Sequence, residues 1–189
     1  MPGTWQDHGS IGLPLNENYN LIDPYVFQES PDSPVYFTFG SHWNGIHQFE
    51  LRNNDELMAY SGNTHRIKNI MRNSTANALV VEGATMYKHD DYYFLFASVG
   101  FCCNTEKGGL APIEDVYRVV VCRAEAATGP FNDAEGTDCV MDNGGTTILA
   151  SHGDIYAPGG QDVTVEPESG RAMMSYHYCK LTVYDQKSR

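Results

Sequence analysis

The sequence has no run of apolar residues long enough to span a bilayer. Its first residues, Met1-Pro2-Gly3-Thr4-Trp5, have neither the basic segment nor the apolar stretch of a secretory leader, so no signal peptide is expected among these residues. Basic side chains are scarce: 12 Lys+Arg stand against 24 Asp+Glu, a formal net charge of −12. A surface of that sign repels nucleic acid and anionic lipid, which removes both from the expected partners. Cysteine is sparse and badly spaced for a metal. Cys102, Cys103, Cys122, Cys139 and Cys179 contain no paired C-x-x-C, so the common zinc scaffolds are excluded. Five cysteines cannot all pair within one chain, and one or two disulfides with the remainder as buried thiols are expected. The seven histidines form no H-E-x-x-H pair, and no Lys-Ser/Thr follows the tight turn read at Gly159-Gly160-Gln161, which excludes a phosphate loop. Helical patterning is nearly absent too. Only Ala124-Glu125-Ala126-Ala127 reads as helical, and Gly129-Pro130 stops it at once.

What is present points to strands. The 189 residues suffice for one domain with a sizeable core, and 41% of them are hydrophobic, which rules out a disordered chain. With 12 Tyr, 8 Phe and 18 Gly, the composition favours strands joined by tight turns. Val35-Tyr36-Phe37-Thr38-Phe39-Gly40-Ser41 is a β-branched and aromatic run, and the stretch 45–51 alternates apolar and polar residues. Thr85-Met86-Tyr87-Lys88 leads through a turn at His89-Asp90-Asp91 into a strand over 92–98. Further strands are expected over 117–123 and 171–178. A weak repeat joins Tyr25 to Ser41, Ala84 to Ser98 and Val163 to Tyr178: short strand, acidic or glycine-bearing turn, aromatic strand. Its spacing of roughly 60 to 80 residues suits a β-propeller with insertions, while a β-sandwich has a similar number of strands.

Two carboxylates stand out by context. Asp23 precedes Pro24 at the mouth of a strand, and the proline is expected to push it into an extended conformation that fixes its side chain. The ordinary reading is an Asp that bonds its own turn. Glu82 follows Ala78-Leu79-Val80-Val81 and precedes Gly83, so it is expected to be partly buried, as suits a general acid; the ordinary reading is a strand-end Glu in solvent. Trp43, in Ser41-His42-Trp43-Asn44-Gly45, and Phe101, before Cys102-Cys103, are candidates to stack on sugar rings, with core packing as the alternative.

These strings occur in a fixed order. Trp5-Gln6-Asp7-His8-Gly9 is followed by Ile22-Asp23-Pro24, Phe39-Gly40-Ser41-His42-Trp43-Asn44-Gly45-Ile46 and Val81-Glu82-Gly83-Ala84. Phe101-Cys102-Cys103, Thr128-Gly129-Pro130-Phe131, Ser151-His152-Gly153, Ala157-Pro158-Gly159-Gly160-Gln161 and Tyr176-His177-Tyr178 complete the series. The ordered set resembles the endo-arabinanases of glycoside hydrolase family 43, the fungal ones most closely, over nearly the whole chain.

The resemblance implies an all-β, five-bladed propeller, of which residues 1–189 make a partial catalytic domain of about three blades. It implies hydrolysis of internal α-1,5 links of arabinan with inversion by a monomeric, secreted enzyme. Glu82 matches the general acid and Asp23 the carboxylate that orients and tunes it. The general base belongs to an earlier Asp-Pro motif that is absent here, so these residues by themselves are expected to be inactive. Ser41, Trp43, Phe101 and Cys102 match substrate-binding positions. The resemblance also allows a structural calcium ion, against which Gln161 counts, because it stands where many bacterial relatives have the histidine associated with a central cation; no other cofactor is implied. A non-catalytic carbohydrate-binding propeller remnant and an exo-acting α-L-arabinofuranosidase or β-xylosidase are the competing functions.

Overall fold

The computed structural model describes residues 3–5, 7, 9–54, 57–59, 66–74, 80–102, 110–141 and 144–180. Cys103 and the Ala78-Leu79 approach to Glu82 lie outside the described residues. The described chain is all-β, with eleven strands in three separate antiparallel sheets, none of them closed. The first sheet runs β1 (Tyr25–Gln28), β2 (Val35–Phe39), β3 (Ile46–Asn54) and β4 (Leu57–Ala59), with β5 (Lys68–Met71) also paired to β3. The second runs β6 (Val81–His89), β7 (Tyr92–Val99), β8 (Arg118–Ala124) and β9 (Thr146–Leu149). The third is the hairpin of β10 (Ile155–Val165) and β11 (Ala172–Lys180).

Local chemistry accounts for most of these elements. β-branched and aromatic residues fill β2, β7 and β8, where their side chains pack on a pleated surface. Asp90-Asp91 closes β6 onto β7 with His89 opposite Tyr92, and Asp90 takes the left-handed φ of 51° that a short polar side chain tolerates. The three repeat units found in the sequence fall on β1–β2, β6–β7 and the outer part of β10–β11, each the leading hairpin of its sheet.

Two expectations about the elements fail. Ala124 ends β8, and 125–128 form bends and turns, not a helix. Four residues before Gly-Pro cannot recover the cost of nucleating a helix. Gly159-Gly160-Gln161 is no tight turn but the middle of β10, with register shifts between Tyr156 and Gly159 and between Gly159 and Asp162. Glycine within a strand marks a bulge or a close backbone approach, and here it marks both.

The main core lies between the first two sheets. Ile46, Ile70 and Met71 of the first pack with Val81, Leu95, Val99 and Val120 of the second. β10 packs across β6, β7 and β8, with Tyr156 and Ala157 buried against Val116 and Tyr117. Cys122 and Cys139 form a buried disulfide that ties β8 to the following loop, Cys102 is disulfide-bonded, and Cys179 is a free thiol. This packing brings the N-terminal ends of β1 and β6 beside the bulged part of β10.

Candidate active site

Asp23 stands just before β1 with φ 55°, left-handed where the following proline led us to expect an extended backbone. Tertiary bonds override the local preference: Gly40 N–H donates to the Ile22 carbonyl at 2.9 Å, and Gly83 N–H donates to Asp23 Oδ2 at 3.1 Å. An aspartate accepts this conformation more readily than most residues. Burial pushes its carboxyl pKa up, the Gly83 amide works against that, the Glu82 charge adds to the rise, and His42 opposes it.

Glu82 is the second residue of β6, opposite Ser98, at a bulge that ends at Thr85. It is not a solvent-facing strand end: its side chain is 22% exposed and three neighbours reach it. Ser41 Oγ donates to Oε2 at 2.8 Å, Tyr117 hydroxyl donates to Oε1 at 2.7 Å, and His42 Nε2 lies 3.5 Å from Oε2. The two candidate carboxylates, 59 positions apart by their numbering, thus meet across the first and second sheets, with the amide next to Glu82 bonded to Asp23.

Behind them lies a buried polar chain that the sequence did not disclose. Gln161 Nε2 donates to the Gly83 carbonyl at 2.7 Å, and its Oε1 accepts from Ser98 Oγ at 2.8 Å. Ser98 Oγ in turn accepts from Gly160 N–H at 2.9 Å. Gln161 is 2% exposed, with its amide engaged at both ends. It bridges β6, β7 and β10, its amide nitrogen and oxygen each bonded to a protein partner.

The remaining expected residues spread around this centre. Ser41, one of the expected substrate-binding residues, is buried with its hydroxyl directed to the Glu82 carboxylate. Trp43 is 57% exposed and lines a cleft of about 440 Å³ with the loop 15–21, held there by Asn44 Nδ2 donating to the Asn18 carbonyl at 3.1 Å. Phe101 is partly exposed, and its backbone bonds with Asp115 and Tyr117, whose ring leads to Glu82. Cys102 is exposed and disulfide-bonded. Tyr117, His42, Ser98 and His177 were missed as site residues. The only sequence signal was positional: His42 lies within 41–45 and His177 within Tyr176-His177-Tyr178.

Two acids pinned at fixed geometry, one of them lined by hydroxyl donors, can give and hold a proton. Known proteins resemble the chain as a whole. The model of glycosyl hydrolases family 43 matches residues 1–189. The chain is similar to the probable arabinan endo-1,5-alpha-L-arabinosidase A of Aspergillus fumigatus, 39% identical over 182 residues, covering 95% of this chain and 53% of that protein. It is 37% identical over 183 residues to the arabinan endo-1,5-alpha-L-arabinosidase A of Aspergillus niger, covering 96% of this chain and 54% of that protein. The chain therefore spans about half the length of these relatives. Among solved structures, the alpha-L-arabinanase of Cellvibrio cellulosa superposes with a TM-score of 0.73 at 24% identity, covering 93% of this chain and 55% of that one, and shows the same fold. With the family model matching from end to end, this chain belongs to glycosyl hydrolase family 43.

Proposed function

We propose that the chain carries the acid half of an arabinan-hydrolysing site, with Glu82 as proton donor and Asp23 as the carboxylate that orients and tunes it. The observation that carries this reading is the meeting of the two acids through Gly83 N–H, with Ser41 and Tyr117 each holding one oxygen of Glu82. The fungal relatives are named for endo-cleavage of arabinan, and a solved alpha-L-arabinanase was captured with arabinohexaose. Internal α-1,5 links are thus the proposed target, and a five-bladed propeller, of which these sheets supply about three blades, is the proposed frame. The net charge of −12 suits a neutral polysaccharide, and the proposed setting is extracellular.

In an inverting reaction, Glu82 protonates the leaving oxygen while a base on the far side of the sugar activates water, the two carboxyls standing roughly 6.5–9.5 Å apart. On this reading the base is supplied by residues outside these 189. We therefore propose that they alone turn over arabinan slowly or not at all, since general-base assistance is typically worth about 10²–10⁴-fold. Gln161 acts as a bridge between strands.

The test is hydrolysis of linear arabinan by the 189-residue chain and by a version extended to the relatives' full length. The extended protein is expected to release oligosaccharides with an inverted anomeric centre, and the shorter one to be silent. Release of arabinose alone, or retention at the anomeric carbon, would sink the endo-inverting reading.

A further inference from the structure

We propose that Tyr117 is a positioning residue for Glu82, held in place by a cradle that the third sheet builds from Gly159, Gly160 and His177. The inference deepens the reading of Glu82 as proton donor, but its geometry stands apart from that reading.

Tyr117 precedes β8, and its N–H donates to the Phe101 carbonyl at 3.1 Å. Its ring is buried, and the hydroxyl reaches Glu82 Oε1 at 2.7 Å. What leaves room for the ring is the absence of side chains at Gly159 and Gly160 of β10. A Cβ at Gly159 would come within 2.0 Å of Tyr117 Cε1, and a Cβ at Gly160 within 2.3 Å of His177 Nε2. The His177 ring stacks against the Tyr117 ring, 6.3 Å between centroids and 19° between planes. His177 is also the residue of β11 that pairs with Gly159. Two consecutive glycines thus let a tyrosine and a histidine press on one point of β10, and the only polar atom of the tyrosine side chain is delivered to the carboxylate. Ser41 supplies the matching donor to the other oxygen from the first sheet.

A hydroxyl bonded to a carboxylate does two things. It fixes the carboxyl plane, and it stabilises the ionised form. Among the described residues, the charged or titratable groups that face Glu82 are His42 from the loop after β2, Asp23 from before β1, and Tyr117 itself, with His177 behind the Tyr117 ring. Burial raises the Tyr117 pKa well above the usual value, so its hydroxyl keeps its proton and stays a donor across the working range.

The experiment is a carboxyl-carbon NMR titration of Glu82 in the 189-residue chain and in Tyr117→Phe. Loss of one hydrogen bond to a charged group is expected to move the titration midpoint up by about one pH unit, with the backbone amide spectrum unchanged away from the site. His177→Ala, which leaves the hydroxyl present but unsupported, is expected to move it the same way by less, and Gly160→Ala to reproduce that effect by displacing His177. A midpoint in Tyr117→Phe indistinguishable from the parent, in a protein with the parent's spectrum, overturns the proposal. Should Tyr117→Phe fail to fold, His177→Ala decides, and an unmoved midpoint there overturns it equally. Arabinan hydrolysis by the full-length version is scored separately. An inactive extended protein overturns the arabinanase reading and leaves the titration to judge Tyr117.

Discussion

At the scale of single residues, Asp23 and Glu82 differ in what surrounds them. Asp23 is penalised by burial and has one backbone donor, whereas Glu82 has two hydroxyl donors and a histidine. A carboxyl whose folded pKa is raised favours folding most at acid pH, and that contribution is lost as pH rises through the folded value. Asp23→Asn is therefore expected to raise thermal stability at pH 7 by about 1–3 °C, a small gain for a partly solvent-screened group, which shrinks towards pH 4 as the parent's Asp23 takes up its proton. Asparagine keeps an oxygen for Gly83 N–H and tolerates a φ of 55°. Paired melts at the two pH values check this, and a loss at pH 7 would refute it. Glu82→Gln in the full-length protein is expected to nearly abolish cleavage of arabinan, an effect of about 10²–10⁴-fold, and to cost far less on an aryl arabinoside whose leaving group needs no proton. Equal losses on both substrates would show that Glu82 is not the acid.

At the scale of elements, the bulges aim the site. The shift between Glu82 and Thr85 in β6 and the two shifts in β10 lie where the strands meet, so irregular pairing falls where side chains must be re-aimed. Alternation along a strand reads burial, but a bulge breaks the alternation, which is why the glycine pair looked like a turn. The disulfide between Cys122 and Cys139 bridges a separation of 17 residues and anchors the loop behind β8. Closing a loop of that size in the unfolded chain is worth about 3 kcal/mol in the chain-entropy account. The double variant Cys122→Ala with Cys139→Ala is expected to lose about 2–4 kcal/mol in urea denaturation. No change in the midpoint would mean that the packing of Phe131 and its neighbours holds the loop unaided.

At the scale of the whole molecule, none of the three sheets closes. Among the described residues β11 pairs only with β10, and Met173 and Tyr178 on it are about half exposed, at 49% and 45%. An open strand edge beside exposed apolar side chains invites pairing with another chain. The 189-residue chain is expected to self-associate with rising concentration and to melt at the low end of the range for ordinary domains, about 45–65 °C. Light scattering and calorimetry check this; a monomer with one sharp transition above that range would contradict it. The full-length version is expected to lose the self-association, because further strands would cover the edge.

The all-β class was legible in the sequence, because aromatic and β-branched runs broken by acidic turns depend on local patterning alone, and β2, β6, β7, β8 and β11 follow it. Asp23 and Glu82 were legible as candidates through their neighbours in the chain, and the ordered motifs pointed to the family that matches residues 1–189. Nothing local could disclose that Asp23 turns left-handed, since bonds from Gly40 and Gly83 decide it. Nor could sequence spacing assign Tyr117, Ser98, Gln161 and His177 to the site, for they come from β7, β10, β11 and the approach to β8. Those residues are brought within hydrogen-bonding and ring-stacking reach of one another only when the second and third sheets pack. Neighbours along the chain set strand and turn preferences, whereas the environment of a buried carboxylate is set by whatever the packing of sheets brings to it.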